Sequence, residues 1–332
     1  MTLDARPGIY YTASLPVKAG GELVNLQHVA ALRQAGLRAF LLLDPAAKVQ
    51  APKQPFPVPM VHWSEQLVFT PQDWLVMPEV TPPASFELLA AMACQVAIHN
   101  QNPYYSFRGF ASIDSLNRYP LAGGLCGSLS TRDTLQRWGS TTDWQVVRPY
   151  VLPTFFRTQA KQRQIAFIPL KRPTDASLLV QLFRGRYPQH AGLRWVPIGG
   201  MSRQQMAQVL GESLVFASLS RFEGLGLPPL EAMAAGCLVC GFDGYGGSEY
   251  ASPDNGSWVA DGDLEAFSEA IAGVLAMDDA AAASRIAASR ATAASYSVER
   301  FNAELLSAWQ HLLGPRIDQY RLPEGPVQTG GG

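Results

Sequence analysis

Short apolar runs alternate with amphipathic stretches along most of the chain. Runs such as "GIYYTAS" and "RAFLLL" have the length and composition of buried strands. Between them, Leu23, Leu26, Val29 and Leu32 recur at helical spacing, and Gly36 follows where a left-handed helix end is expected. This alternation predicts an α/β fold in which parallel strands are joined by crossover helices.

The alternation falls into two series. The first contains the strand-like runs "DWLVM", "QVAIHN" and "LCGSLS", the last followed by a helix with capping-box spacing at Ser130 and Asp133. The second contains "QIAFIP", "LRWVPI", "SLVFASL" and "CLVCGF", again with helical stretches between them. The change near Pro153 predicts two α/β domains, residues 1–153 and 154–300.

The end of the chain has a different pattern. Residues 301–322 are expected to form a helix that packs back towards the N-terminal domain. Residues 323–332, rich in glycine and proline, lack a core pattern and are expected to be a disordered tail.

Composition limits the possible partners and locations. The 332 residues are 47% hydrophobic and 16% charged, as in globular proteins, and the net charge of -1 with no basic run argues against nucleic acid binding. The N-terminus contains an acid and a proline where a secretory signal needs an apolar segment, and no apolar run approaches the ~18 residues of a membrane span. We therefore expect a cytoplasmic protein, with peripheral association at the inner face of the membrane left open.

Cysteine and aspartate pairs give no metal site. Cys237 and Cys240 form a C-x-x-C pattern within an apolar strand-like run, where their odd separation places the thiols on opposite faces. Asp278 and Asp279 lie past the last clear helix and lack the strand-end setting of a metal-binding acid pair. We therefore expect reduced thiols and no bound metal.

The stretch "RFEGLGLPPLEAMAAG" carries the strongest chemical signal. A proline at the first helical position predicts a helix from about Pro229 to Ala235. Gly224 and Gly226 allow the preceding backbone to fold closely over a ligand. Because free amides at a helix N-terminus attract anions, the stretch is suited to a phosphate or diphosphate.

Two carboxylates flank this loop. Glu223 and Glu231 lie eight positions apart, and carboxylates repel a phosphate unless they bind something else, such as sugar hydroxyls. An acid in the first helical turn also complements the helix dipole, which gives Glu231 an alternative structural explanation. The pattern indicates a ligand with sugar, diphosphate and ribose in a row.

The motif "SRFEGLGLPPLEAMAAGCLVC", followed by "GYGGSEYASPDNGSWV", resembles the donor site of GT-B retaining glycosyltransferases of family 4, the glycosyl transferases group 1. The resemblance extends from "IAFIPLKRP" to about Leu275 and, more loosely, to "AGGELVNLQHVAALRQAG". It implies two Rossmann-like domains facing an interdomain cleft, a nucleotide-sugar donor, a glycan or glycoconjugate acceptor, and neither cofactor nor metal. The stretch from "AFIPLK" through "GLRWVPIGGMS" also resembles rhamnosyltransferases that build rhamnans.

The resemblance implies a role for each matching residue. Glu231 would bind the ribose hydroxyls and Glu223 the donor sugar, while Lys171 and Arg172 would meet the diphosphate, unless they are only a solvated pair at a strand end. The implied donor-binding residues are Gly20, Gly21, Gly199, Gly224, Leu225, Gly226, Leu227 and Glu231. The implied catalytic residues are Glu223, Lys171, Arg172 and His99.

Several other side chains have more than one possible role. His99 could be a base, a sugar ligand or a histidine packed at a strand end. Aromatic residues 104, 105 and 107 could stack on an acceptor sugar or belong to the core. Gly246, Gly247 and Glu249 could touch the donor, and Glu249 could instead face solvent.

The expected activity is retaining transfer of a sugar from a nucleotide-diphosphate sugar, in bacterial surface polysaccharide synthesis. The resemblance implies front-face attack, in which the departing phosphate oxygen accepts the acceptor's proton and no protein base is required. Two alternatives stay open: a nucleotide-sugar epimerase or hydrolase of the same fold, and a non-catalytic binding module.

Overall fold

The chain forms two units of parallel α/β structure. The computed structural model describes residues 6–13, 20–43, 58–64, 67–157 and 159–323. Among these, one unit comprises the residues up to Gly127, Arg132–Val147 and those from Asn302 onwards, and the other comprises Ser128–Thr131 and Arg148–Phe301. Residues 324–332, part of the tail expected to be disordered, lie outside the described residues.

The first unit is built on a parallel sheet with the strand order β3-β2-β1-β4-β5-β6-β7. Its strands are β1 (Ile9–Ala13), β2 (Ala39–Leu43), β3 (Met60–His62), β4 (Trp74–Pro78), β5 (Gln95–Asn100), β6 (Gly123–Cys126) and β7 (Trp144–Val146). The helices between them are α1 (Gly20–Gln34), α2 (Pro83–Ala90), α3 (Ser106–Gly109), α4 (Ile113–Asn117) and α5 (Leu129–Arg137).

Local signals in the sequence account for the helix ends. Helix α1 ends as expected, with Gly36 at φ 79° and the Leu37 amide donating to the Leu32 carbonyl over 2.9 Å. Helix α5 begins one residue before the predicted cap, because the Ser128 hydroxyl, rather than that of Ser130, accepts the Thr131 amide at 2.9 Å.

The second unit has a five-stranded parallel sheet with the order β12-β11-β10-β8-β9. Its strands are β8 (Gln162–Phe167), β9 (Arg194–Pro197), β10 (Ser213–Leu219), β11 (Leu238–Phe242) and β12 (Ser257–Trp258). Its helices are α6 (Pro173–Arg186), α7 (Arg203–Glu212), α8 (Leu227–Ala234), α9 (Leu264–Leu275) and α10 (Asp279–Ala294), followed by α11 (Val298–Leu313).

Hydrophobic clusters cover both faces of the second sheet. Cys237 packs in one cluster and Cys240 in the other, and both are free thiols. Gly241 lies at φ 119°, and a Cβ there would collide with the Phe267 ring and the Ser218 carbonyl. The sheet therefore admits only glycine at this position without rearrangement.

The last helix and the turn after it complete the core of the first unit. The buried Trp309 ring lies 5.4 Å from the Trp74 ring, and its Nε1 donates to the Tyr11 hydroxyl at 3.2 Å. Further along, the buried Tyr320 donates its hydroxyl hydrogen to the Gln72 carbonyl, and Arg321 pairs with Leu37 in an antiparallel bridge. The core of this unit is thus assembled from both ends of the chain.

Candidate functional site

The strand order of the second sheet locates the candidate site. Strands β8 and β10 are neighbours, and the connection that leaves β8 runs to β9 on one side of the pair, whereas the connection that leaves β10 runs to β11 on the other side. In open parallel sheets, such a reversal leaves a crevice at the carboxyl ends of the two central strands, where ligands bind. The loops that follow β8 and β10 contain Lys171 and the Glu223 motif, respectively.

Lys171 and Glu223 form an ion pair at this edge. The Lys171 Nζ lies 2.8 Å from Glu223 Oε2 and donates to the Arg221 carbonyl at 3.3 Å. Their side chains are 32% and 19% exposed, so both remain accessible. The arrangement presents a cation and an anion side by side, as a reaction that separates charge requires.

Arg172 has a different environment from its neighbour. It is buried, with its Nη1 2.8 Å from Asp175 Oδ2, its Nη2 paired with Asp261 and its Nε donating to the Ser220 carbonyl. Its guanidinium also lies over the Phe242 ring. The predicted basic pair is therefore divided: Lys171 meets Glu223, and Arg172 is engaged by two other carboxylates.

Helix α8 begins earlier than the prolines suggested. Its first residue is Leu227, with Gly226 as the N-cap in the left-handed region, so Pro228 and Pro229 occupy the second and third positions. Proline is tolerated there because those amides would have no intrahelical acceptor. Of the four amides that a helix normally leaves free, two are therefore replaced by proline nitrogens, and only those of Gly226 and Leu227 carry a hydrogen. The helix start therefore offers fewer amide donors to an anion than four free amides would.

Several side chains fix the carbonyls of the glycine loop. Gly224 O accepts from the Ser128 hydroxyl at 2.6 Å and from the Thr131 hydroxyl at 3.2 Å. Gly226 O accepts from the Tyr250 hydroxyl at 2.7 Å. Sequence reasoning missed these three residues, because only the folded chain brings them to the loop.

The later glycine loop packs against the motif. A Cβ on Gly246 would come within 2.6 Å of the backbone of Glu223 and Gly224, which explains the glycine. The Glu249 side chain is 9% exposed, pairs with Arg148 and accepts the Leu129 amide at 2.7 Å. Glu249 therefore does not face solvent, and its contact with the donor stays a prediction.

Glu231 is a buried carboxylate with one cationic partner. It is the fifth residue of α8, beyond the first turn in which the helix dipole acts, so the dipole no longer explains it. Arg203 Nη1 lies 2.6 Å from Glu231 Oε1, whereas Oε2 is buried without a hydrogen-bond partner among the described residues. Burial raises the pKa of the Glu231 carboxyl, and Arg203 opposes that shift.

Arg203 and Gly199 lie after strand β9. The capping box of Ser202 and Gln205 marks the start of α7 in the sequence, but no sequence signal links Arg203 to an acid 28 positions later. A Cβ on Gly199 would meet no described atom within 4 Å, so this glycine borders open space.

In the first unit, His99 is fully buried near the end of β5. Its Nδ1 lies 2.8 Å from Asn25 Oδ1, and its Nε2 has no hydrogen-bond partner among the described residues. Asn25 Nδ2 donates to the Thr12 carbonyl, which orients the amide so that His99 Nδ1 carries the proton. Burial lowers the pKa of His99 to about 3.

The structure also places the glycines and aromatic residues that the sequence pointed to in the first unit. Gly20 and Gly21 begin α1, and Gln101 Nε2 donates to the Gly21 carbonyl at 3.0 Å. The aromatic rings at 104 and 107 pack around Trp138, with centroid distances of 5.5 and 5.2 Å. Arg108 lies over the ring at 105, 4.0 Å from its centroid.

The buried histidine predicts an acid-sensitive fold. Because the pKa of His99 is lowered from 6.5 to about 3 by burial, the unfolded chain binds the extra proton first, and stability is lost as pH falls below 6.5. We expect wild type to lose about 2 kcal/mol more unfolding free energy than His99→Asn between pH 6.5 and about 5. Denaturant titrations over this pH range measure the difference.

The comparison of wild type with His99→Asn needs a matched substitution and an account of Glu79. His62→Asn, the same substitution at an exposed position of β3, is the matched control. Burial raises the pKa of Glu79 to about 7, so this carboxyl stabilises the fold as pH falls, opposite to His99. The effect of His99 is therefore measured as the difference between wild type and His99→Asn, in which the Glu79 contribution cancels. Equal slopes for wild type and His99→Asn would contradict the buried neutral imidazole.

The described residues give no metal centre and no membrane span. In these parts of the chain, no three His, Cys, Asp or Glu side chains are grouped so that they could hold a metal ion. No helix among them is both long and apolar enough to cross a bilayer.

Comparisons with known proteins identify the family. Residues 195–291 match the model of the family glycosyl transferases group 1. An alpha-1,6-glucosyltransferase of Actinobacillus pleuropneumoniae serotype 7 (strain AP76) is 33% identical over 260 residues, which cover 76% of this chain and 78% of that protein.

Solved structures share the fold at low sequence identity. Anabaena Alr3699/HepE in complex with UDP and glucose superimposes with a TM-score of 0.68 at 14% identity, covering 92% of this chain and 100% of that one. Sucrose-phosphate synthase (tll1590) from Thermosynechococcus elongatus gives 0.69 at 14% identity, with 93% and 99% coverage. With its two parallel-sheet Rossmann-like domains, the chain is a GT-B glycosyltransferase and belongs to the glycosyl transferases group 1 family.

Proposed function

We propose that the protein transfers a glucosyl residue from a nucleotide-diphosphate glucose to a glycan or glycoconjugate, with retention of anomeric configuration. The Lys171–Glu223 ion pair at the reversal point of the second sheet carries this proposal, because it places opposite charges at adjacent positions. Glucose is favoured over rhamnose because the relative is an alpha-1,6-glucosyltransferase and the Anabaena structure contains UDP and glucose.

The charges of the pair match those that develop during transfer. When the bond between the anomeric carbon and the phosphate oxygen breaks, positive charge develops on the sugar and the departing diphosphate gains a negative charge. Glu223 would face the sugar and stabilise its positive charge, while Lys171 would exchange part of its contact with Glu223 for the departing diphosphate. The Gly226 and Leu227 amides would add two donors to the diphosphate.

Glu231 is proposed to bind the ribose. Its Oε2 is buried without a partner, so a hydroxyl donor at that oxygen would satisfy a group that otherwise costs stability. A carboxylate accepts hydrogen bonds from two neighbouring hydroxyls, as the ribose 2′ and 3′ positions present.

The linkage named for the alpha-1,6-glucosyltransferase relative supports retention of the anomeric configuration. Nucleotide-diphosphate glucose carries an α bond, and an alpha-1,6 product keeps that configuration. A departing phosphate oxygen is then placed to accept the acceptor's proton on the same face. A base is not required, and His99, buried and with a pKa lowered to about 3, is poorly suited to the task. We further propose metal-independent transfer and a role in bacterial surface polysaccharide synthesis on the cytoplasmic side of the membrane.

A thermal-shift panel of nucleotides and nucleotide sugars tests the donor. A ligand that binds only the folded protein raises the unfolding midpoint, and we expect the largest shift from UDP-glucose among the sugars. NMR of the product's anomeric signal, with and without EDTA, tests retention and the absence of a metal requirement. Donor turnover equal with and without acceptors would favour the epimerase or hydrolase alternative, and no nucleotide-induced shift would favour a binding module.

A further inference from the structure

The Glu231 carboxylate and Arg203 form a pair with unequal exposure. The Glu231 side chain is 3% exposed and that of Arg203 is 37% exposed, and one short contact of 2.6 Å joins them. Helices α7 and α8, which carry the two residues, pack against each other. Arg203 therefore reaches from a partly exposed position to a carboxylate inside the unit.

The helices that carry Glu231 and Arg203 contribute apolar side chains to the core of the unit. Leu230, Ala232, Met206 and Ala207, on the same two helices, belong to one buried hydrophobic cluster. A single carboxylate in such surroundings becomes neutral unless a cation compensates it. A neutral carboxyl is a poorer acceptor than a carboxylate, because charge-assisted hydrogen bonds are about twice as strong.

No other charge in the described elements packed on α8 compensates Glu231. Arg203 is the charged group that acts on its pKa. The cations of α10 are engaged elsewhere, since Arg285 donates to the Ser257 hydroxyl and Arg290 to the Phe156 carbonyl. Lys161 donates to the Ala235 carbonyl at the other end of α8, and Glu212 of α7 accepts from Gln208. In the segment that follows α8, the titratable groups are the thiols of Cys237 and Cys240.

We propose that Arg203 is a positioning residue of the donor site, which holds Glu231 ionised and leaves Oε2 free to accept ribose hydroxyls. This inference rests on the proposed function, because it assumes that Glu231 meets the ribose. Arg203 contacts Oε1, and Oε2 has no hydrogen-bond partner among the described residues, so the ion pair does not occupy this second oxygen. Arg203 thereby acts on ribose recognition through Glu231.

The test compares UDP-glucose with its 2′-deoxyribose analogue, dUDP-glucose, by calorimetric titration from about pH 6 to about 8.5. Neither ligand's diphosphate diester titrates in this range, so pH dependence reports the protein. We expect wild type to prefer the ribose form by about 10-fold or more, and Glu231→Ala to lose that preference. Arg203→Gln removes the cation that lowers the pKa of Glu231, so the preference should be smaller than in wild type and should increase with pH.

Controls separate this role from a structural one. Arg203→Lys, which keeps a cation, should preserve much of the preference, and Arg186→Gln, which removes an exposed pair with Glu269, should leave binding unchanged. An Arg203→Gln protein that weakens both ligands equally at every pH, or that retains the wild-type preference at low pH, would overturn the inference while the proposed function stands. Failure of wild type to bind UDP-glucose would overturn both.

Discussion

Replacing Glu223 with glutamine is expected to lower turnover by about 10²- to 10³-fold. Glutamine keeps the shape and the capacity to bind hydroxyls but removes the charge that would stabilise the developing positive sugar. Donor affinity should therefore fall less than turnover, since the lost interaction is strongest in the transition state. The rate of UDP release from UDP-glucose, with water or glycan as acceptor, measures turnover, and titration of the same ligand measures affinity.

A carboxylate elsewhere in the unit serves as the matched control. Glu269 is 58% exposed and pairs with Arg186 on the surface, so Glu269→Gln removes a comparable ion pair away from the candidate site. This variant should keep the wild-type rate. A Glu223→Gln enzyme with unchanged turnover would remove Glu223 from the reaction.

Lys171→Met is expected to lower turnover by about 10²-fold, which corresponds to about 3 kcal/mol of lost transition-state stabilisation. Methionine keeps much of the side-chain length without the charge, and Lys171 is one-third exposed, so the fold should persist. Lys171→Arg should recover part of the rate because it restores the cation. Steady-state rates with UDP-glucose, alongside thermal unfolding midpoints, make the comparison.

Replacement of the neighbouring Arg172 is expected to affect stability more than replacement of Lys171 does. Because its guanidinium is buried and bound to Asp175 and Asp261, Arg172→Met should lower the unfolding midpoint more than Lys171→Met does. If Arg172→Met instead keeps its stability and loses as much turnover as Lys171→Met, the diphosphate contact belongs to Arg172 as well. Full activity in Lys171→Met would exclude Lys171 from the site.

The two-sheet architecture was predictable because each parallel strand is a short apolar run and each crossover helix has its own period. The donor motif was recognisable for a similar reason, since its glycines, prolines and acids lie within 16 consecutive residues. Local sequence is sufficient wherever neighbouring residues determine the backbone.

Pairings between distant residues were not predictable. The ion pair of Glu231 with Arg203 spans 28 positions and that of Lys171 with Glu223 spans more, and each depends on which strands become neighbours. Lys171 and Arg172 are adjacent in sequence, yet only folding directs one to Glu223 and the other to Asp261. The start of α8 was predicted two residues late because a helix tolerates proline throughout its first turn.

The dependence of the first unit on Trp309 and Tyr320 has a consequence for biosynthesis. Residues 148–301 are translated before the buried Trp309 and Tyr320, which complete the unit that begins earlier in the chain. The later-encoded unit can thus finish folding first, while the N-terminal strands wait with part of their apolar surface uncovered. A truncated chain that ends at residue 301, released from the ribosome, should accordingly be protease-resistant in its second half and sensitive in its first.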